Sequence, residues 1–108
     1  MSEIICVPSA IPAAERPNHF SLIRELFSQK ALEVRELPDG YAVRFSQDDF
    51  EAVARFISRE RLCCPFLTFE IRVEPGAGPL WLRMLGPQGA REVLQAELSL
   101  TNPCGCQP

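Results

Sequence analysis

Apolar residues in this chain follow helical spacing in three stretches and strand spacing in the segments between them. Phe20, Ile23, Leu26 and Phe27 recur at i, i+3, i+6 and i+7, the single stripe of a helix with one buried face. This first helix is expected over about Ala13 to Lys30; Pro17 either marks its first turn or splits off a short turn ahead of it. Phe50, Val53, Ala54 and Ile57 form a second stripe. Ser46 suits its N-cap, and Asp48 and Asp49 suit the positive end of the helix. It should run to about Leu62, because Pro65 disfavours helical backbone at Cys64. A third helix is expected over about Ala90 to Leu98, with Val93, Leu94 and Leu98 inward, after Pro87-Gln88-Gly89.

Between the helices the period falls to two. Leu32 to Leu37 partly alternates, Pro38-Asp39-Gly40 has turn chemistry, and Tyr41, Val43 and Phe45 alternate with Ala42 and Arg44. That is the strongest hairpin signal in the chain. Phe69, Ile71 and Val73 alternate with charged residues, Pro75 to Pro79 turns the chain, and Leu80 to Leu85 returns. Ile4 to Val7 reads as an edge strand cut off by Pro8. The order is strand, helix, hairpin, helix, hairpin, helix. It predicts an α+β two-layer sandwich, an antiparallel sheet of four or five strands with about three helices on one face. Residues 1–100 read as one domain, and 101–108, with two prolines and a glycine, as an aperiodic tail.

Composition narrows the function classes. The 108 residues carry a net charge of −3 and a pI of about 5.1. Nucleic-acid binding needs a basic surface that displaces counterions from phosphates, so it is not expected. Neither is a membrane role, since no apolar run approaches the roughly 18 residues of a spanning helix. The start, Met1-Ser2-Glu3-Ile4-Ile5-Cys6, lacks a basic stretch followed by an apolar one, which predicts no signal peptide. The expectation is a cytoplasmic protein whose thiols are kept reduced.

The cysteines carry the chemistry. Four of the five fall in two clusters, Cys63-Cys64 at the end of the second helix and Cys104-Gly105-Cys106 in the tail. Adjacent Cα atoms lie about 3.8 Å apart, short of the roughly 4.4 Å minimum of an ordinary disulfide. The Cys63-Cys64 pair is therefore better suited to holding two thiols side by side than to closing on itself. A helix C-terminus disfavours a bare thiolate and favours a bound cation; Arg59 and Arg61 offset this in part and Glu60 opposes them. If helical phase persists, Cys64 falls within about 20° of Ile57 on the core face, and Cys63 points toward the surface. Soft donors select Zn²⁺, Cu⁺ and, on the same argument, Hg²⁺ or trivalent arsenic. The CC and CxC spacings differ from the usual C-x₂₋₄-C of structural zinc, which favours a transferable soft ion. The candidate metal ligands are Cys63, Cys64, Cys104 and Cys106, with His19 as an accessory. The blander assignments are Cys6 as packing in an apolar strand, His19 at a helix boundary, Glu60 solvated, and Phe66, Phe69 and Trp81 in the core.

Glu15-Arg16-x-x-His19, Glu36-Leu37-Pro38-Asp39-Gly40-Tyr41-Ala42, Glu60-Arg61-Leu62-Cys63-Cys64-Pro65-Phe66 and Gly78-Pro79-Leu80-Trp81-Leu82-Arg83 together resemble a family of small, uncharacterised bacterial proteins. The E-R-x-C-C-P-F block is the most specific part, and the likeness covers roughly residues 13–98. It implies an association with heavy-metal resistance. The leading expectation is a soft-metal (thiolate) binding protein, an accessory, chaperone or sequestering module in heavy-metal handling. One alternative is a thiol redox or thiol-transfer enzyme, which needs at least one thiol of depressed pKa. The other is a small-molecule or protein interaction module, or a homodimer formed through a sheet edge, with structural cysteines.

Overall fold

A computed structural model describes residues 5–100 of the chain. Its main elements are α1 (Arg16–Glu25), β1 (Glu33–Leu37), β2 (Gly40–Phe45), α2 (Phe50–Cys63), β3 (Thr68–Val73), β4 (Leu80–Leu85) and α3 (Ala90–Leu98). Tight 3₁₀ turns at Pro8–Ala10, Ala13–Glu15 and Gln47–Asp49 and a wider turn at Leu26–Lys30 complete it. The Ser46 hydroxyl accepts the Asp48 N–H at the entrance to α2, as the capping chemistry of that residue predicts. Gly89, with φ of 96°, turns the chain into α3 through the left-handed region that glycine tolerates best.

The four strands form one antiparallel sheet in the order β1-β2-β4-β3. Both hairpins are the expected ones, and β4 lies between β2 and β3. Val43 pairs with Val34 on one side and Leu82 on the other, and Leu82 pairs in turn with Ile71. Tyr41, Val43, Phe45, Leu80, Leu82 and Met84 thereby share one buried face. Gly40 allows β2 to approach β4: a Cβ there would sit 1.8 Å from the Met84 carbonyl oxygen.

All three helices cover that face, which makes the molecule the α+β sandwich that the apolar patterning predicts. Leu22 and Ile23 of α1, Leu26 and Phe27 just beyond it, Val53 and Phe56 of α2, and Leu94 and Leu98 of α3 close the core against the strands. Phe27 meets Phe56 and Phe45 edge to face, with centroids 5.1 and 5.8 Å apart. Such pairs add about 0.5–1.5 kcal/mol beyond burial. The other sheet face is polar. Arg35, Arg44, Arg72 and Arg83 pair there with Glu33, Glu74 and Glu70.

Two expectations are corrected here. Trp81 is not a core residue; it stands half-buried on the polar face with the Arg35 guanidinium 4.8 Å above its ring. Phe69 does pack against the core, while Phe66 packs against a separate small cluster around the cysteines. The described part of the Ile4–Val7 segment is not an edge strand. Instead the Val7 N–H donates to the Cys63 carbonyl over 2.6 Å, one of the carbonyls that a helix end leaves without an intrahelical partner. Among the described residues, no helix is long and apolar enough to cross a membrane.

Candidate functional site

The candidate cluster assembles where α2 stops. Helix α2 buries Val53, Phe56, Glu60 and Cys63, positions i, i+3, i+7 and i+10 of one stripe. Cys63 is therefore 1% exposed, and the expectation that it faces the surface is wrong. The stripe is centred on Phe56 rather than Ile57, and the N-terminal arm covers the last turn. Cys64 leaves the helical region with φ −120° and ψ 75°, since Pro65 disfavours helical backbone there, and it is fully buried too. Ile11, at the end of the first 3₁₀ turn, packs on both cysteines with Cys6, Phe66 and Leu67 around them.

Cys6 is the residue that changes the picture. It is not packing in a strand: the arm returns it to the end of α2, where it pairs with Cys64 as a disulfide, Cα to Cα 4.5 Å. Glu97 approaches from α3. Its Oε1 lies 2.8 Å from Cys6 Sγ and 3.0 Å from Cys64 Sγ, and Glu60 Oε2 lies 3.3 Å from Cys64 Sγ. The sulfurs of Cys6, Cys63 and Cys64 and a Glu97 oxygen all lie within 4.8 Å of one another, a grouping that could hold a metal ion. Cys63 is the free cysteine among the described residues. Cys104 and Cys106 lie outside the described residues.

Glu60 is not solvated. It is 0% exposed, and so is His19, whose Nε2 sits 2.8 Å from Glu60 Oε1. His19 is thus no boundary residue; it ties α1 to α2 and stacks on Phe56 at 5.8 Å. It stands behind Glu60 and is not one of the four clustered donors. Its Nδ1 has no partner among the described residues.

Burial governs the protons here. It raises the Glu60 carboxyl above its usual range, partly opposed by a hydrogen bond with Glu97. Burial first, then the hydrogen bond and charge of Glu60, push Glu97 up to about 9. The Cys63 thiol is pushed up to about 12 by burial and by the charges of Glu97 and Glu60, against the Val7 N–H. Burial, then Arg59, lowers His19. Among the described residues no cation compensates from within: Arg59 is engaged by Glu15 at 3.0 Å, and Arg61 is exposed. A disulfide sulfur has no proton to give; in that state the Glu97 carboxyl keeps its proton and shares it with the Glu60 carboxyl. With the disulfide reduced, the thiols themselves can donate. The expectation that the helix end disfavours thiolate holds for Cys63, with desolvation as the main cause.

Two site residues escape the apolar patterning, yet both leave a signal in it. Glu60 stands at i+7 from Val53, and Glu97 at i+7 from Ala90 and i+3 from Leu94. A carboxylate on the buried stripe of a helix needs a partner. Cys6 leaves no such signal, because only the path of the arm brings it to Cys64. No protein-family model matches the chain, and neither does any curated protein or solved structure.

Proposed function

We propose that the protein binds a soft, thiophilic metal or metalloid ion through Cys6, Cys63 and Cys64, with Glu97 beside them, as an accessory, chaperone or sequestering module in heavy-metal handling. The observation that carries this reading is the convergence of three sulfurs and one carboxylate within 4.8 Å at a buried helix end. The electrostatics support it: a buried group of acids and thiols holds its protons, and a bound cation exchanges for them. Three sulfurs from separate positions suit trigonal coordination, as in trivalent arsenic or three-coordinate Hg²⁺. The ion enters the reduced form. A dithiol reductant takes the Cys6–Cys64 disulfide to two thiols and becomes a disulfide itself. Cys104 and Cys106 are assigned to capture; the seven residues from Glu97 to Cys104 span at most about 25 Å. His19 acts through Glu60 by holding it in place.

The test is native mass spectrometry of the reduced full chain offered arsenite, Hg²⁺, Zn²⁺ or Cu⁺. One soft ion per chain is expected, and Cys63→Ser or Cys6→Ser should lose it. Failure to retain any of the four at stoichiometry sinks the reading.

The Cys6–Cys64 disulfide beside the free Cys63 favours a second reading, thiol–disulfide exchange. It requires Cys63 to attack as thiolate, which its raised pKa opposes. Absence of a mixed disulfide with a small disulfide substrate at neutral pH would remove it.

A further inference from the structure

The sulfur cluster borders an open groove of about 390 Å³ lined by Cys6, Pro8, Phe20, Cys63, Val93, Ala96 and Glu97. Apart from the sulfurs and the Glu97 carboxyl, its side chains are hydrocarbon. Phe20 is 36% exposed, although Ile23, Leu26 and Phe27 of the same stripe are buried. Its ring therefore faces the groove rather than the core. A bare ion held by sulfur gains nothing from such walls, whereas an apolar group gains roughly 25 cal/mol for each Å² it removes from water. The groove's volume lies in the range of small-molecule sites, about 300–1,000 Å³.

We propose that the site takes the soft ion as a monosubstituted organic species, a trivalent organoarsenical, with Cys6 and Cys63 as donors and the organic group against Phe20, Val93 and Ala96. This rests on the soft-ion reading above. The binding step balances without redox change: R–As(OH)₂ and two thiols give R–As(S–Cys)₂ and two waters. Two As–O bonds break, two As–S bonds form, and each thiol proton leaves with a hydroxide. The Cys6–Cys64 disulfide is first reduced by a dithiol, which is oxidised in turn. Two sulfurs and one carbon complete the three bonds of arsenic, and the groove beside those two sulfurs receives the third substituent.

The test uses the reduced, metal-free full chain, titrated with phenylarsine oxide and with methylarsine oxide against dithiothreitol as competitor. The competitor cancels the intrinsic thiol affinity of each compound. The phenyl compound should be favoured over the methyl compound by about tenfold or more. Ala96→Trp, an exposed helix position that fills the groove, should bring that ratio close to one. Gln95→Trp, exposed on the same helix outside the groove, should keep it. A wild-type ratio near one, or a ratio that Ala96→Trp leaves intact, overturns this inference while leaving the soft-ion reading in place. Failure of the wild type to retain either compound overturns both.

Discussion

Replacing Glu60 with alanine should destabilise the metal-free, disulfide-intact protein by about 2–4 kcal/mol. The figure follows from its surroundings. Glu60 and His19 are both 0% exposed and meet at 2.8 Å. His19 Nδ1 has no partner among the described residues, so the substitution takes from the buried ring the hydrogen bond it makes through Nε2. An orphaned buried polar group costs about 1–3 kcal/mol. Truncation to alanine also empties about 50 Å³, which at about 24 cal/mol per Å³ adds roughly 1 kcal/mol. Glu60→Gln keeps the volume and an N–H that can donate to the imidazole, so it should stay within about 1 kcal/mol of wild type. For a domain of this size each kcal/mol shifts Tm by about 4–8 °C. The alanine variant should therefore melt at least about 8 °C lower, and the glutamine variant no more than about 4–8 °C lower. Urea denaturation at pH 6.5 with unchanged m-value is the assay. If alanine costs less than about 0.5 kcal/mol, the His19–Glu60 pair does not hold α1 to α2. If glutamine costs as much as alanine, charge and not the hydrogen bond is what matters.

The remaining predictions concern protons. Glu97 has a folded pKa of about 9 against an ordinary 4.5, and Glu60 is raised too; the folded state thus binds their protons more tightly than the unfolded one. Their contribution is complete below pH 4.5 and is lost as pH rises toward 9. His19 is shifted the other way, below 6.5, and affects stability only below that pH. Metal-free stability should therefore fall steadily between pH 6.5 and 9, and a flat or rising profile by chemical denaturation would contradict the buried-acid assignment. Raising the Cys63 thiol from 9 to about 12 lowers its thiolate fraction about a thousandfold. Iodoacetamide at pH 8 should label Cys63 at least that much more slowly in the folded protein than in urea, followed by mass spectrometry; labelling within tenfold of the urea rate would refute the burial argument.

The site sets the stability of buried acids and thiols against their capacity to hold an ion. Two acids, an imidazole and three sulfurs converge within or beside the small apolar cluster of Ile11, Phe66 and Leu67. Groups that keep their protons because they are buried are poor nucleophiles. They remain able to exchange those protons for a cation. This separates binding from catalysis more sharply than the presence of paired cysteines does.

Much of the architecture was legible in one dimension. Apolar spacing marked all three helices and both hairpins, since a helix or strand with one buried face must repeat its apolar residues at 3.6 or 2. Pro65 located the end of α2 through a steric rule confined to its immediate neighbour. The site obeyed no such local rule. Cys6 joins Cys64 across 58 residues, His19 joins Glu60 across 41, and Glu97 reaches Cys64 across 33. Those meetings depend on how the arm, α1 and α3 pack around the end of α2. Periodicity reports which face of an element is buried; only the assembled packing decides what that face meets.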